Sequence, residues 1–117
     1  MTDRELLELA AKAAGFTDAV WAAEQASICT MQAGKGFRPF WNPLAFDGDA
    51  LRLAVKLDID VMNVNFREDV TRGQTVMFPI RGGFNVLTQW YDTTAEKMAA
   101  TRRAIVRAAA EIGRNME

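Results

Sequence analysis

Apolar and polar residues alternate with helical spacing from the first residues of the chain. Leu6, Leu9, Ala10 and Ala13 fall on one stripe, widened by Leu7 and Ala14. Thr2-Asp3-Arg4-Glu5 has the form of a capping box, in which Thr2 accepts from the amide of Glu5 and Glu5 reaches back. Gly15 tolerates the left-handed conformation that ends a helix. The pattern predicts a helix over Thr2 to Ala14. The next stretch changes period. Ala19 to Ala23 and Ser27 to Met31 read as short strands, although the alanines of 22–26 equally support a helical turn. Ala33-Gly34-Lys35-Gly36 reads as a hairpin turn, and Phe37 to Trp41 as the returning strand, at an edge or short because Pro39 cannot donate to a ladder.

Asn42-Pro43 turns the chain. Asp47 and Asp49 are N-cap candidates for a helix over Ala50 to Leu57, with Leu51, Ala54, Val55 and Leu57 expected inward and Arg52 and Lys56 outward. Alternation returns in two runs. Met62, Val64 and Phe66 share one face of the first, and Val76, Phe78 and Ile80 point inward in the second. They predict a hairpin joined by the polar Arg67–Gly73 loop, with Pro79 marking an edge or an early strand end. After an Arg81-Gly82-Gly83 turn, Phe84, Val86 and Trp90 share one side of a further strand. A second capping box, Thr93-Thr94-Ala95-Glu96, opens a long helix to about Gly113, whose stripe is Met98, Ile105, Ala109 and Ile112 beside Val106. This order of elements predicts a small single α+β domain: an antiparallel sheet of hairpins with N-terminal, short central and long C-terminal helices packed on it.

The 117 residues are half hydrophobic and a quarter charged, enough for a core without disulfide or metal staples. Net charge is -1, which argues against broad nucleic-acid binding. The chain has no histidine, which removes Ser-His-Asp and Cys-His catalysis and histidine metal ligands. Its one cysteine, Cys29, lies in a strand-like run and reads as a small core or half-buried residue. The charged start, Met1-Thr2-Asp3-Arg4-Glu5, does not resemble a signal peptide, and no apolar run reaches the roughly 18 residues of a membrane span. A reducing cytoplasm is the expected setting.

Three blocks carry a resemblance. Trp41-Asn42-Pro43-Leu44, the run from Asp47-Gly48-Asp49 to Val55-Lys56-Leu57, and the run from Thr101-Arg102-Arg103 to Glu111-Ile112-Gly113-Arg114 resemble a family of small uncharacterised proteins from tailed-phage and prophage genomes. The resemblance implies a phage accessory protein in the cytoplasm of the bacterial host. By genomic association it implies host takeover or counter-defence through an inhibitor-like binder. It transfers no catalytic residue, and the stretch from Met62 to Trp90 lies outside it.

Candidate sites follow from residue type. Arg67, Asp69, Arg72 and Arg81 cluster around the predicted hairpin and are the expected surface for a host or phage protein partner. Trp41, Asn42, Trp90 and Tyr91 offer a second reading. Together with arginines they would stack on and grip a small anionic, nucleotide-like ligand, sequestered between protomers as in a sponge. Core anchoring for Trp41, and turn capping for Asn42, are the simpler roles. Asp47 and Asp49 with another acid would serve a metal or carboxylate enzyme, but two carboxylates beside a glycine are few for such a site, and no cofactor is implied. Gly34-Lys35-Gly36 lacks the spacing of a phosphate loop. Lys97, Arg102, Arg103, Arg107 and Arg114 make the last helix basic, read as a solvated face complementing its C-terminal dipole. Unpaired strand edges invite self-association, with a homodimer the expected form.

Overall fold

A computed structural model describes residues 1–34, 39–65 and 72–116, with only the backbone for 63–65. Helix α1 spans Asp3–Ala13, α2 Asp47–Lys56 and α3 Lys97–Arg114. Strands β1 (Val20–Ala22), β2 (Ser27–Cys29) and β3 (Phe40–Trp41) form one antiparallel sheet in that order; β4 (Asp60–Asn65), β5 (Arg72–Ile80) and β6 (Gly83–Tyr91) form another. The α+β class predicted from the pattern is what the chain adopts, with its strands divided between two sheets rather than joined in one.

The first helix starts as its sequence dictates. Thr2 Oγ1 accepts from the amide of Glu5 at 3.2 Å, and Glu5 Oε1 accepts from the amide of Thr2 at 3.5 Å. Gly15 takes φ +83° after the last turn. The buried stripe is Leu6, Leu7, Ala10, Ala11 and Ala14, rotated from the expected one so that Leu9 and Ala13 are half-buried. Small residues let α1 lie against α3, and the two run parallel. Arg103 pairs with Asp3, Gly113 meets Leu9, and Lys12 reaches the carbonyl of Met116.

Helix α3 is the centre of the molecule, packed against α1, α2, β5 and β6. Its run of Ala100, Ala104, Ala108, Ala109 and Ala110 is buried with Ile105 and Val106. Alanine both favours the helix and admits close neighbours. On the inner face of the second sheet, Gln74, Val76 and Phe78 are fully buried, as alternation requires of a strand with one face on the core. The Ile80–Gly83 corner is a two-residue turn with positive φ at Arg81 (44°) and Gly82 (78°), the mirror-image turn whose twist suits a hairpin.

Several expectations change. Helix α2 begins at Asp47, a turn earlier than predicted, behind Phe46, whose side chain makes no cap bond. Neither aspartate caps it: Asp49 lies inside the first turn and folds back onto the preceding loop. The Thr93 box is not reciprocal either, because Glu96 accepts from the amide of Asp92 and the hydroxyl of Thr93 while Thr93 caps no amide with its side chain. A 3-10 turn, Thr94–Glu96, therefore precedes α3. Pro79 is in the central strand, not at an edge, because β4 ends its pairing at Asp60 opposite Met77 and does not reach it. The predicted Lys35-Gly36 turn, Phe37, Arg38, Phe66 of the predicted strand and Arg67 to Thr71 of the predicted loop lie outside the described residues.

Candidate functional site: an apolar groove between two helices

Three residues that the helical stripes predict to be inward point outward. Leu51 is 65 % exposed, Val55 69 % and Met98 55 %. The stripe of α2 that reaches the core is Ala50, Leu53 and Ala54. Leu51 and Val55, four apart, thus form a second apolar stripe on the solvent side. Met98 faces it from the first turn of α3, and Val61 from the start of β4. These side chains and Ile105 line an open groove of about 560 Å³. Periodicity missed it because the helical pattern counts apolar residues without saying which of two adjacent apolar stripes is covered.

The ends of the groove are polar. Arg102 Nη1 is 2.7 Å from Asp47 Oδ1, and its Nε donates to the carbonyl of Leu44 at 2.8 Å, so this guanidinium ties α3 to the start of α2. Asp58, at φ +56° just past α2, and Asp60, at the start of β4, are exposed and lie on the same rim. Their carboxylates have no ion-pair partner among the described residues. With Asp47 neutralised by Arg102, the rim is left with two negative charges.

Asp49 supports this surface from behind. Its side chain is 0 % exposed; Oδ2 accepts from the amide of Asn42 at 2.9 Å and Oδ1 pairs with Arg52 Nη2 at 2.8 Å. Asn42 in turn uses its side chain fully, donating to the carbonyl of Ala26 and to Ser27 Oγ and accepting from the amide of Leu44. Trp41 is buried and meets the Phe16 ring edge-on at 5.2 Å. The Trp-Asn-Pro-Leu block is therefore a structural clasp that joins the first sheet to α2.

The remaining sequence candidates are dispersed. Arg67 and Asp69 lie outside the described residues. Arg72 is half-buried and donates to Thr94 Oγ1 at 2.9 Å; Arg81 is exposed at the other end of β5. Tyr91 is buried on β6. Trp90 lies over Gly73 on the outer face of the sheet, a strand's length from Arg81. Trp41 and Asn42 belong to the other sheet, so the four expected ligand residues do not converge within one protomer. The basic helix is not a plain solvated face: Arg103 pairs with Asp3, and Arg107 donates to the Thr88 carbonyl and Gln89 Oε1. Among the described residues no three acidic or cysteine side chains are grouped to hold a metal ion. No helix described is long and apolar enough to cross a membrane. Cys29 is half-buried and free.

No protein-family model, curated protein or solved structure matches the chain.

Proposed function

We propose that the chain is a protein-binding accessory factor that captures an amphipathic helix of its partner in the α2–α3 groove. The observation that supports this reading is the doubled apolar surface of α2, where Leu51 and Val55 stand exposed beside Met98 and Val61. An exposed apolar patch in a concave setting is a usual mark of an interaction site. Its shape suits a helix laid into a groove with anchors one turn apart. Asp58 and Asp60 on the rim, without an ion-pair partner among the described residues, select a partner helix with lysine or arginine flanking its apolar face. Phage origin, a host-takeover or counter-defence role and action in the host cytoplasm rest on the resemblance of the three sequence blocks.

Two designed peptides of roughly 15 residues test the groove. One is an amphipathic Leu/Lys helix, the other its Leu/Glu counterpart. The Leu/Lys peptide is expected to bind, to shift the amide resonances of α2 and the start of α3, and to weaken as salt rises. Leu51→Lys/Val55→Lys should abolish this binding without loss of helical signal. Equal binding of the Leu/Glu peptide, or binding that survives the double substitution, would overturn the reading.

A further inference from the structure

The second sheet has two edges of opposite character. Strand β4 carries Asp60, Asn63 and Asn65 and is six residues long. Strand β6 is nine residues long, Gly-Phe-Asn-Val-Leu-Thr-Gln-Trp-Tyr, and holds no charge and no proline. It has none of the charge, proline or brevity by which monomeric proteins blunt a sheet edge.

Two side chains reveal which backbone groups of β6 face away from β5. The amide of Val86 donates to its neighbour Asn85 Oδ1 at 2.9 Å, and the carbonyl of Thr88 accepts from Arg107 Nη1 at 3.3 Å. The even-numbered residues thus present their amides and carbonyls off the sheet. On the outer sheet face the same residues present Phe84, Val86 and Trp90, at 73 %, 57 % and 51 % exposure.

We propose that a second copy of this chain pairs with β6, antiparallel and strand to strand, about a two-fold axis at Leu87. This register places Val86 opposite the second copy's Thr88, and Phe84 opposite its Trp90. Both of these pairs then have their backbone groups outward, as a hydrogen-bonded antiparallel pair requires. The pairs are β-branched with β-branched and aromatic with aromatic, the combinations that favour cross-strand contact. Asn85 falls opposite Gln89, and Leu87 opposite itself. Charge fits the same direction. Arg81 precedes β6 and Asp92 follows it, both exposed, so antiparallel pairing sets each arginine beside the other copy's aspartate. Parallel pairing would set like beside like. Among the described residues Asn85, Arg107 and Gln89 hold the Val86 amide and the Thr88 and Trp90 carbonyls within the protomer, and these side chains swing aside when backbone groups of the second copy replace them. Because each strand pairs with its own copy, the assembly closes as a two-fold dimer.

Sedimentation velocity of the purified chain, run with three variants, is the test. The wild type is expected to be a dimer. Val86→Lys, at an exposed position, should keep the circular-dichroism spectrum and weaken the dimer at least about tenfold. Arg81→Glu should weaken it, and Arg81→Glu/Asp92→Arg should restore it. The fourth readout is Leu87→Cys in a Cys29→Ala background: in a non-hydrogen-bonded pair the two Cα atoms stand about 4.5 Å apart, within disulfide reach, so air oxidation should yield a covalent dimer. A monomeric wild type, a dimer indifferent to Val86→Lys, or failure of the Leu87→Cys cross-link in a dimeric protein would each overturn the proposal.

Discussion

At Gly113 an added Cβ would stand 2.1 Å from the carbonyl oxygen of Leu9 on the neighbouring helix. The clash is with backbone, which has no rotamer to yield. Alanine would gain about 1 kcal/mol of helix propensity at this position, so the sign of the measured change separates the two effects. Gly113→Ala is expected to lower stability by about 2 kcal/mol, read by urea denaturation, because α1 and α3 must move apart. Asp49 gives a contrast between two partners in one ion pair. Asp49→Ala leaves the half-buried amide of Asn42 without its acceptor and should cost about 1–3 kcal/mol. Arg52→Ala should cost less than about 1 kcal/mol, since its side chain is 57 % exposed. Gln74 carries the opposite expectation. Its side chain is 1 % exposed and its Oε1 accepts no hydrogen bond among the described residues. Gln74→Met, similar in volume, should raise the melting temperature rather than lower it.

At the scale of elements, what was legible in the sequence was what local chemistry decides. The capping box at Thr2, the turn at Gly82, the alternation of Val76 and Phe78 and the alanine-rich last helix all act within a few residues, and all stand where expected. The groove was illegible because Leu51, Val55 and Met98 satisfy a helical stripe as well as Ala50, Ala54 and Ile105 do. Which stripe is covered depends on where α3 passes, and Arg102 fixes that by bonding Leu44 and Asp47 from far along the chain. Asp49 was misread as a cap for a similar reason, since Phe46 holds the N-cap position and, among the described residues, the Asp49 carboxylate accepts from Asn42 and Arg52. The open end of the β1–β2 hairpin is held by one carboxylate, that of Asp18 just before β1. Asp18 accepts from the Thr30 hydroxyl and from the amide of Met31 at 2.8 Å, and these bonds hold its carboxyl below the ordinary value of 3.8. A lowered folded-state pKa means that the contribution to stability is complete above that ordinary value and disappears as pH falls through the lowered one. The difference in melting temperature between wild type and Asp18→Asn should therefore be constant above about pH 5 and shrink on further acidification. A difference that grows as pH falls would contradict this account.

For the whole molecule, the two surfaces lie at opposite edges of one sheet. The groove reaches the sheet through Asp60 and Val61 of β4, whereas the proposed pairing edge is β6, two strand spacings or roughly 10 Å away across β5. Pairing through β6 therefore covers neither Leu51 nor Val55, and a two-fold dimer would carry two grooves. Such a molecule binds a repeated or dimeric partner by avidity, with the second contact intramolecular once the first is made. A Leu/Lys peptide should then bind with a stoichiometry of one per protomer in the wild type and in Val86→Lys, with affinities within about twofold, because neither site contributes to the other. A tandem peptide, two copies joined by a flexible Gly/Ser linker long enough to span the dimer, should bind the wild type on the order of a hundredfold more tightly than the single peptide. Val86→Lys should erase that gain while leaving single-peptide binding intact. Titration calorimetry with the two peptides against the two proteins separates the cases. Loss of single-peptide binding in Val86→Lys would mean that the groove depends on the dimer and that the surfaces are not independent. A tandem gain that survives in a monomeric variant would mean that avidity does not come from β6 pairing.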